Sequence, residues 1–484
     1  MNYPLIFRSI GKVLKIEALL MLFPLAISFI YGGGDHNSFI LAILITAVVG
    51  ILLSLLKPQD ETFRTKDAFV TVGFAWIFLS IFGALPFHLS GHFASFIDCI
   101  FEAASGFTTT GSTILTNVEI VPKGIVFWRC FSHWVGGIGV LVFMLAVTPS
   151  SHGSSVNLMR AESTGPAPDR IVPRIRQTAK ILCLIYTALT IILIILLCVA
   201  KLPIYESLVN AFTIAGTGGF SSMNISFGAY NNVPAEVIST IFMFLFGVNF
   251  TLYFFLLGKR FKDVLKDEEL RLYIGIVATS IIIITLNVTG FYGNVLEALR
   301  HASFQVSSII STTGLATTNF DLWPPLSKGI LVLLMVTGCS AGSTGGGLKL
   351  IRISMLFKAA KLEITKLLHP GSVKAVTYNG KKIDQSVMSR VTLFFFIYFV
   401  ILFISILLVS IDGTSDLVSS TTAVISAMSN IGPGLGLVGP MGNFAYFNQF
   451  SKIVLTFCMI AGRLEFFPVL ILFTPSVWKK GRIK

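Results

Sequence analysis

Thr109-Thr110-Gly111-Ser112 interrupts hydrophobic sequence of membrane grade, and the interruption recurs as Thr217-Gly218-Gly219-Phe220, Thr312-Thr313-Gly314-Leu315 and Asn430-Ile431-Gly432-Pro433-Gly434. Each stretch follows an apolar segment too short to cross a bilayer, which takes about 20 helical residues, and precedes one long enough to do so. Bare backbone is tolerated at membrane depth only where it lines a cavity or is packed in protein. Four interruptions therefore predict four backbone loops around one axis, and a ring of backbone carbonyls can replace the hydration shell of a cation. The competing reading is four polar loops at the membrane surface. It suits any one of them alone and accounts poorly for four after four short helices.

Working outward, the chain is 484 residues long, 54% hydrophobic and 12% charged. Soluble domains carry about 25% charged residues, so the composition is that of a polytopic membrane protein. The first apolar run, 14–31, lacks a small-residue cleavage site and reads as a retained helix rather than a signal peptide. The formal net charge is +13. Its basic residues gather in 149–180, 259–271, 349–390 and the tail Lys479, Lys480, Arg482, Lys484. That clustering is the positive-inside signal of cytoplasmic loops, and nucleic acid is not expected as a partner. Cys99, Cys130, Cys183, Cys198, Cys339 and Cys458 show no metal-binding spacing and read as packing residues.

The expected fold class is an all-α polytopic membrane protein. Residues 1–66 form a transmembrane hairpin with helices near 14–32 and 38–57, preceded by Arg8, Lys12 and Lys15. Four helix–pore-loop–helix repeats follow, in 67–150, 151–260, 261–370 and 371–484, at a period of about 100 residues. Their long first helices are expected at 68–85, 181–200, 272–290 and 391–411. The half-helices are expected at 94–106, 205–216, 295–311 and 415–429, and the long second helices at 124–148, 233–258, 329–358 and 449–478. Every unit begins and ends on a basic loop, so the repeats are parallel, both termini are cytoplasmic, and pseudo-four-fold symmetry about the membrane normal follows.

A half-helix of about 12 residues rises about 18 Å and ends inside the bilayer. Its C-terminus carries about half a negative charge, so four such ends favour a cation without a buried carboxylate. Candidate filter residues are Thr109, Thr110 and Gly111; Thr217 and Gly218; Thr313 and Gly314; and Asn430, Ile431 and Gly432. Carbonyl and hydroxyl oxygens alone suit hard cations such as K⁺ or Na⁺. A second anomaly is the stretch 338–347, with Gly338, Gly342, Ser343, Thr344, Gly345, Gly346 and Gly347 inside an expected helix. Each helical glycine costs about 1 kcal/mol relative to alanine, so the helix should break there, below the third loop, as a movable gate or as a kink with no such role. Arg463 and Glu465 interrupt the last apolar segment, and an intramembrane arginine faces a polar cavity or a partner. Arg463 is read as a pore-facing charge or else as half of a structural pair; Arg129 and His133 are weaker cases. The Gly434–Gly439 match to a dinucleotide fingerprint follows a half-helix rather than a strand, and no HExxH motif is present.

These stretches, with Gly106–Thr113, Ser221, Ser311, Ala341, Gly462-Arg463-Leu464-Glu465, His133–Gly139 and Met159-Arg160-Ala161-Glu162, resemble the Trk/Ktr/HKT superfamily of potassium transporters, most closely its bacterial TrkH/TrkG branch. The resemblance covers essentially the whole chain. It implies a K⁺-channel-like four-repeat fold, a homodimer with one pore per subunit in the bacterial cytoplasmic (inner) membrane, and K⁺ uptake with no organic cofactor in this chain. It also implies a cytosolic ring of TrkA-type nucleotide-binding regulatory subunits, an intramembrane loop at 338–347 and a pore-facing arginine at Arg463. Glycine in all four loops is the pattern associated with K⁺ preference. Two alternatives stay open: Na⁺ coupling or conduction on the same scaffold, and a membrane enzyme.

Overall fold

A computed structural model describes every residue except 59, 61, 63, 148–174, 371–374, 412 and 479–484; of 138, 140–147 and 175–178 it describes the backbone alone. The expected cytoplasmic loop at 149–174, the Met159–Glu162 stretch, the boundaries at 150 and 371 and the basic tail lie outside the described residues. Among those described, six helices are long and apolar enough to span a bilayer: Tyr3–Tyr31, His36–Ser54, Thr65–Ser90, Ala179–Val199, Glu268–Tyr292 and Gln385–Ser410. Their outward faces are apolar and exposed, as at Leu52, Leu286, Phe396 and Leu407, while Ser280, Thr285 and Ser405 point inward and are buried. This inverts the pattern of a water-soluble bundle.

Four half-helices, Phe96–Phe107, Ile204–Gly216, Val295–Ile310 and Leu417–Ser429, run into the interior. Ser95, Asn294 and Asp416 cap three of them by accepting from the backbone N–H groups of Asp98, Leu296 and Ser419. Helices Lys123–Val147, Val233–Phe246, Pro325–Thr337 and Gln449–Arg463 follow the four loops.

Four expectations are corrected. The first helix starts at Tyr3, not 14, because Asn2 caps it by accepting from the Leu5 N–H and Pro4 fits its first turn; Arg8, Lys12 and Lys15 lie within it. The segment 233–258 is not one helix: Val233–Phe246 and Phe250–Leu257 meet at 94°. The backbone freed by that break is satisfied by the glycine-rich stretch, where Ser340 N–H donates to Gly247 O (3.2 Å) and Phe250 N–H to Gly342 O (3.0 Å). The segment 449–478 likewise divides into Gln449–Arg463, Phe467–Leu472 and Pro475–Trp478, with Glu465 and Phe466 at φ of 54° and 64°. The chain is also not purely helical: Thr377–Tyr378 and Lys381–Lys382 form a two-stranded hairpin. Its turn, Asn379-Gly380, has positive φ at both residues, as a two-residue hairpin of this twist requires. The expected break at 338–347 is present, between Pro325–Thr337 and Leu350–Leu368.

Candidate ion-conduction site

Each half-helix ends in the same way. Thr109, Thr217, Thr312 and Asn430 adopt left-handed φ of 57°, 56°, 62° and 53°. The next residue's N–H reaches back five positions: Thr110 to Ser105 O (2.8 Å), Gly218 to Thr213 O (2.9 Å), Thr313 to Ser308 O (2.8 Å) and Ile431 to Ser426 O (3.1 Å). This is a helix stop normally served by glycine, and an L-residue there costs about 1–2 kcal/mol. Four such strained residues at equivalent places are held by their surroundings. All four are fully buried, as are Thr110, Thr313 and Ile431, so these are not surface loops.

The pattern fixes the register, and it differs from the sequence expectation in the second loop. The residues two places beyond the left-handed positions are Gly111, Gly219, Gly314 and Gly432, with φ of 83°, 88°, 78° and 103°. Gly219 therefore corresponds to the other three loop glycines, and Gly218 occupies the place of Thr110, Thr313 and Ile431. A methyl carbon placed on Gly111 would lie 1.9 Å from Gly218 O; on Gly219, 2.5 Å from Thr313 O; on Gly314, 1.8 Å from Ile431 O; and on Gly432, 3.0 Å from Thr110 O. Each glycine abuts the carbonyl of the residue before the equivalent glycine in the next loop, and the fourth loop returns to the first. The four loops close a ring.

Three hydroxyl supports of the ring, Thr213, Ser308 and Ser426, were missed in the sequence. Ser105, Thr213, Ser308 and Ser426 each stand six residues before a ring glycine. Thr213 Oγ1 donates to Phe220 O (2.8 Å), Ser308 Oγ to Leu315 O (2.6 Å) and Ser426 Oγ to Gly432 O (2.6 Å). His133 joins the first two units. Its Nε2 accepts from the Phe220 N–H (3.2 Å), so Nδ1 carries the proton donated to Gly106 O (2.8 Å). Asn430 ties the fourth loop to the first through Thr110 Oγ1 (2.9 Å).

Arg129 is a structural partner of the first loop. Its Nε meets Glu102 Oε1 at 2.7 Å with both side chains buried, and its Nη2 donates to Thr113 Oγ1 (3.1 Å). Glu102 also accepts from the Ile114 N–H (3.0 Å). Removing one partner of a buried pair costs about 3–5 kcal/mol. Glu102→Ala is thus expected to lower the thermal unfolding midpoint of the detergent-solubilised protein, and an unchanged midpoint would show the pair to be expendable.

The glycine-rich stretch lies on the half-helix side of the ring. Gly346 N–H donates to Thr312 Oγ1 (2.8 Å). A methyl carbon on Gly346 would lie 2.2 Å from Ser429 O, and one on Gly345 2.6 Å from Ser311 O. Gly338, Gly342 and Gly347 have φ of 66°, 69° and 76°, and the Ser343 hydroxyl donates to Ser340 O (2.6 Å). Arg463 Nη1 donates to Thr344 O (2.7 Å) and Nη2 to Gly136 O (2.8 Å). Lys349 Nζ donates to Gly345 O. Glu465 pairs with Arg352, so the carboxylate beside Arg463 serves another arginine. On the other side of the ring lies a cavity of about 190 Å³ lined by the four ring glycines with Ser112 and Ser221. No cluster of His, Cys, Asp or Glu able to hold a metal ion occurs among the described residues.

A family model described as a cation transport protein, TrkH, matches residues 35–480. The chain is 34% identical to the Trk system potassium uptake protein TrkH of Salmonella typhimurium, across 99% of this chain and all of that protein. It is 31% identical to the Trk system potassium uptake protein TrkG of Escherichia coli, over 97% of each. The crystal structure of the potassium transporter TrkH from Vibrio parahaemolyticus superposes with a TM-score of 0.88 at 30% identity, covering 99% of this chain and 100% of that one. A whole-chain match in sequence and in fold marks a transport protein rather than an enzyme: the chain belongs to the TrkH family of cation transport proteins.

Proposed function

We propose that this chain is the membrane subunit of a potassium uptake system in the bacterial inner membrane, and that K⁺ crosses at the ring of four loops. The observation that carries the reading is the cyclic close approach of Gly111, Gly219, Gly314 and Gly432 to the carbonyls of Gly218, Thr313, Ile431 and Thr110. It brings four sets of backbone oxygens to one axis, where four half-helix C-termini also converge. The Trk names of the relatives support K⁺ as the cargo. In this reading Thr109, Thr110, Gly111, Thr217, Gly218, Gly219, Thr313, Gly314, Asn430, Ile431 and Gly432 form the filter, 338–347 is the gate beneath it, and Arg463 holds the gate while adding positive charge near the path. The working unit is a homodimer, and its basic cytosolic segments receive a nucleotide-binding regulatory ring.

The four places before the ring glycines hold Thr110, Gly218, Thr313 and Ile431, which are chemically unequal. That favours a second outcome, a pathway that also passes Na⁺. Uptake of ⁸⁶Rb⁺ into proteoliposomes, challenged with K⁺ and with Na⁺, separates the two. The expected result is competition by K⁺ at least about tenfold stronger than by Na⁺, a difference of 1.4 kcal/mol. Equal competition would replace the K⁺ reading with a general monovalent pathway.

A further inference from the structure

We propose that Glu269 is a positioning residue that latches the glycine-rich loop in its present conformation. The proposal rests on the reading of that loop as a gate. Glu269 is buried in the first turn of Glu268–Tyr292. One oxygen, Oε1, accepts from the backbone N–H of Ala341 (2.8 Å) and of Ile351 (3.1 Å). Ala341 lies near the start of the loop and Ile351 just beyond its end, so a single carboxylate pins both ends together.

Both donors lack helical partners. Ile351 is the second residue of Leu350–Leu368, where N–H groups are left unsatisfied by the helix itself. A carboxylate there also meets the positive end of the helix dipole. Ala341 is buried in irregular backbone, where an unpaired N–H is costly. Arg463 and Lys349 hold carbonyls in the middle of the loop, those of Thr344 and Gly345. Glu269 alone among these three holds N–H groups at its ends.

The latch is tied to the cytosolic surface. Glu268 forms an ion pair with Lys358, whose Nζ also donates to Thr377 O (2.9 Å). Asn379 in the hairpin turn accepts from the Glu268 N–H (2.9 Å) and donates to Asp267 (2.8 Å). A displacement of the hairpin therefore pulls on the turn that carries Glu269.

The test is ⁸⁶Rb⁺ flux through the purified full-length protein in liposomes. Glu269→Ala is expected to raise flux about tenfold, equivalent to 1.4 kcal/mol, with the K⁺ and Na⁺ competition pattern unchanged. Glu269→Gln keeps an acceptor oxygen in place and is expected within about twofold of the parent. Glu269→Asp, one methylene shorter, reaches one donor at most and should fall between them; it serves as the test if the alanine variant does not fold. In a chain lacking 338–347, Glu269→Ala should add nothing, because the two changes act on one element. A flux increase that persists in the deleted chain overturns the latch, as does parental flux in both Glu269→Ala and Glu269→Asp. If the deletion itself leaves flux unchanged, the gate reading fails; if the deletion raises flux and the Glu269 variants do not, the latch alone fails.

Discussion

Gly314→Val is expected to reduce ⁸⁶Rb⁺ uptake at least tenfold while leaving the protein folded in detergent. A Cβ at this position would lie 1.8 Å from Ile431 O and 2.9 Å from Pro433 Cδ. Neither neighbour is the free end of a flexible side chain, so two loops of the ring must move. The φ of 78° adds to this: the left-handed region costs an L-residue about 1–2 kcal/mol, and more where the side chain is β-branched. Each 1.4 kcal/mol is tenfold in an equilibrium between competent and distorted rings. Gly111→Val should behave alike, with Gly218 O at 1.9 Å and φ of 83°. Gly290→Val is the control, since nothing lies within 4 Å of its added carbon; its flux should match the parent. Parental flux and K⁺/Na⁺ discrimination in Gly314→Val would remove the ring from the conduction path.

What could be read from the sequence was whatever lay in local composition. Short apolar segments ending in Thr-Gly stretches announced the half-helices and loops, and five glycines in ten residues announced the break at 338–347. The register of the second loop was not legible. Thr217-Gly218-Gly219 offers two adjacent glycines, and only the sign of φ and the neighbouring carbonyl decide between them. The break after Phe246 was hidden for a different reason. It falls in an apolar run, and its cost is offset by bonds to residues some 90 positions away in the glycine-rich stretch. Tertiary partners overrode local propensity there. Glu269 stands in a segment whose basic residues drew attention to topology, and its role depends on contacts with Ala341 and Ile351. The hydroxyl six residues before each ring glycine was in plain view, but becomes meaningful only once the register is known.

Deleting 338–347 is expected to raise ⁸⁶Rb⁺ flux at least about tenfold without altering competition between K⁺ and Na⁺. The ends that remain are already neighbours. Leu348 N–H donates to Val336 O (3.2 Å), Lys349 N–H donates to Thr337 O (3.1 Å), and a methyl carbon on Gly347 would lie 2.8 Å from Gly338 Cα. The excised segment thus leaves and re-enters the helical line at nearly one point, and its removal asks little of Pro325–Thr337 or Leu350–Leu368. What is lost is material packed directly under the third and fourth half-helices, where Gly345 and Gly346 crowd Ser311 O and Ser429 O. No residue of the ring is removed, so discrimination should survive while throughput rises. Arg463→Ala should give a smaller rise, because it releases Thr344 while leaving the holds of Lys349 and Glu269 in place. That ordering follows from an obstruction held at several points. A loop that served only as a kink would leave flux unchanged in both variants, and a loop that braced the filter would lower flux and blur discrimination together.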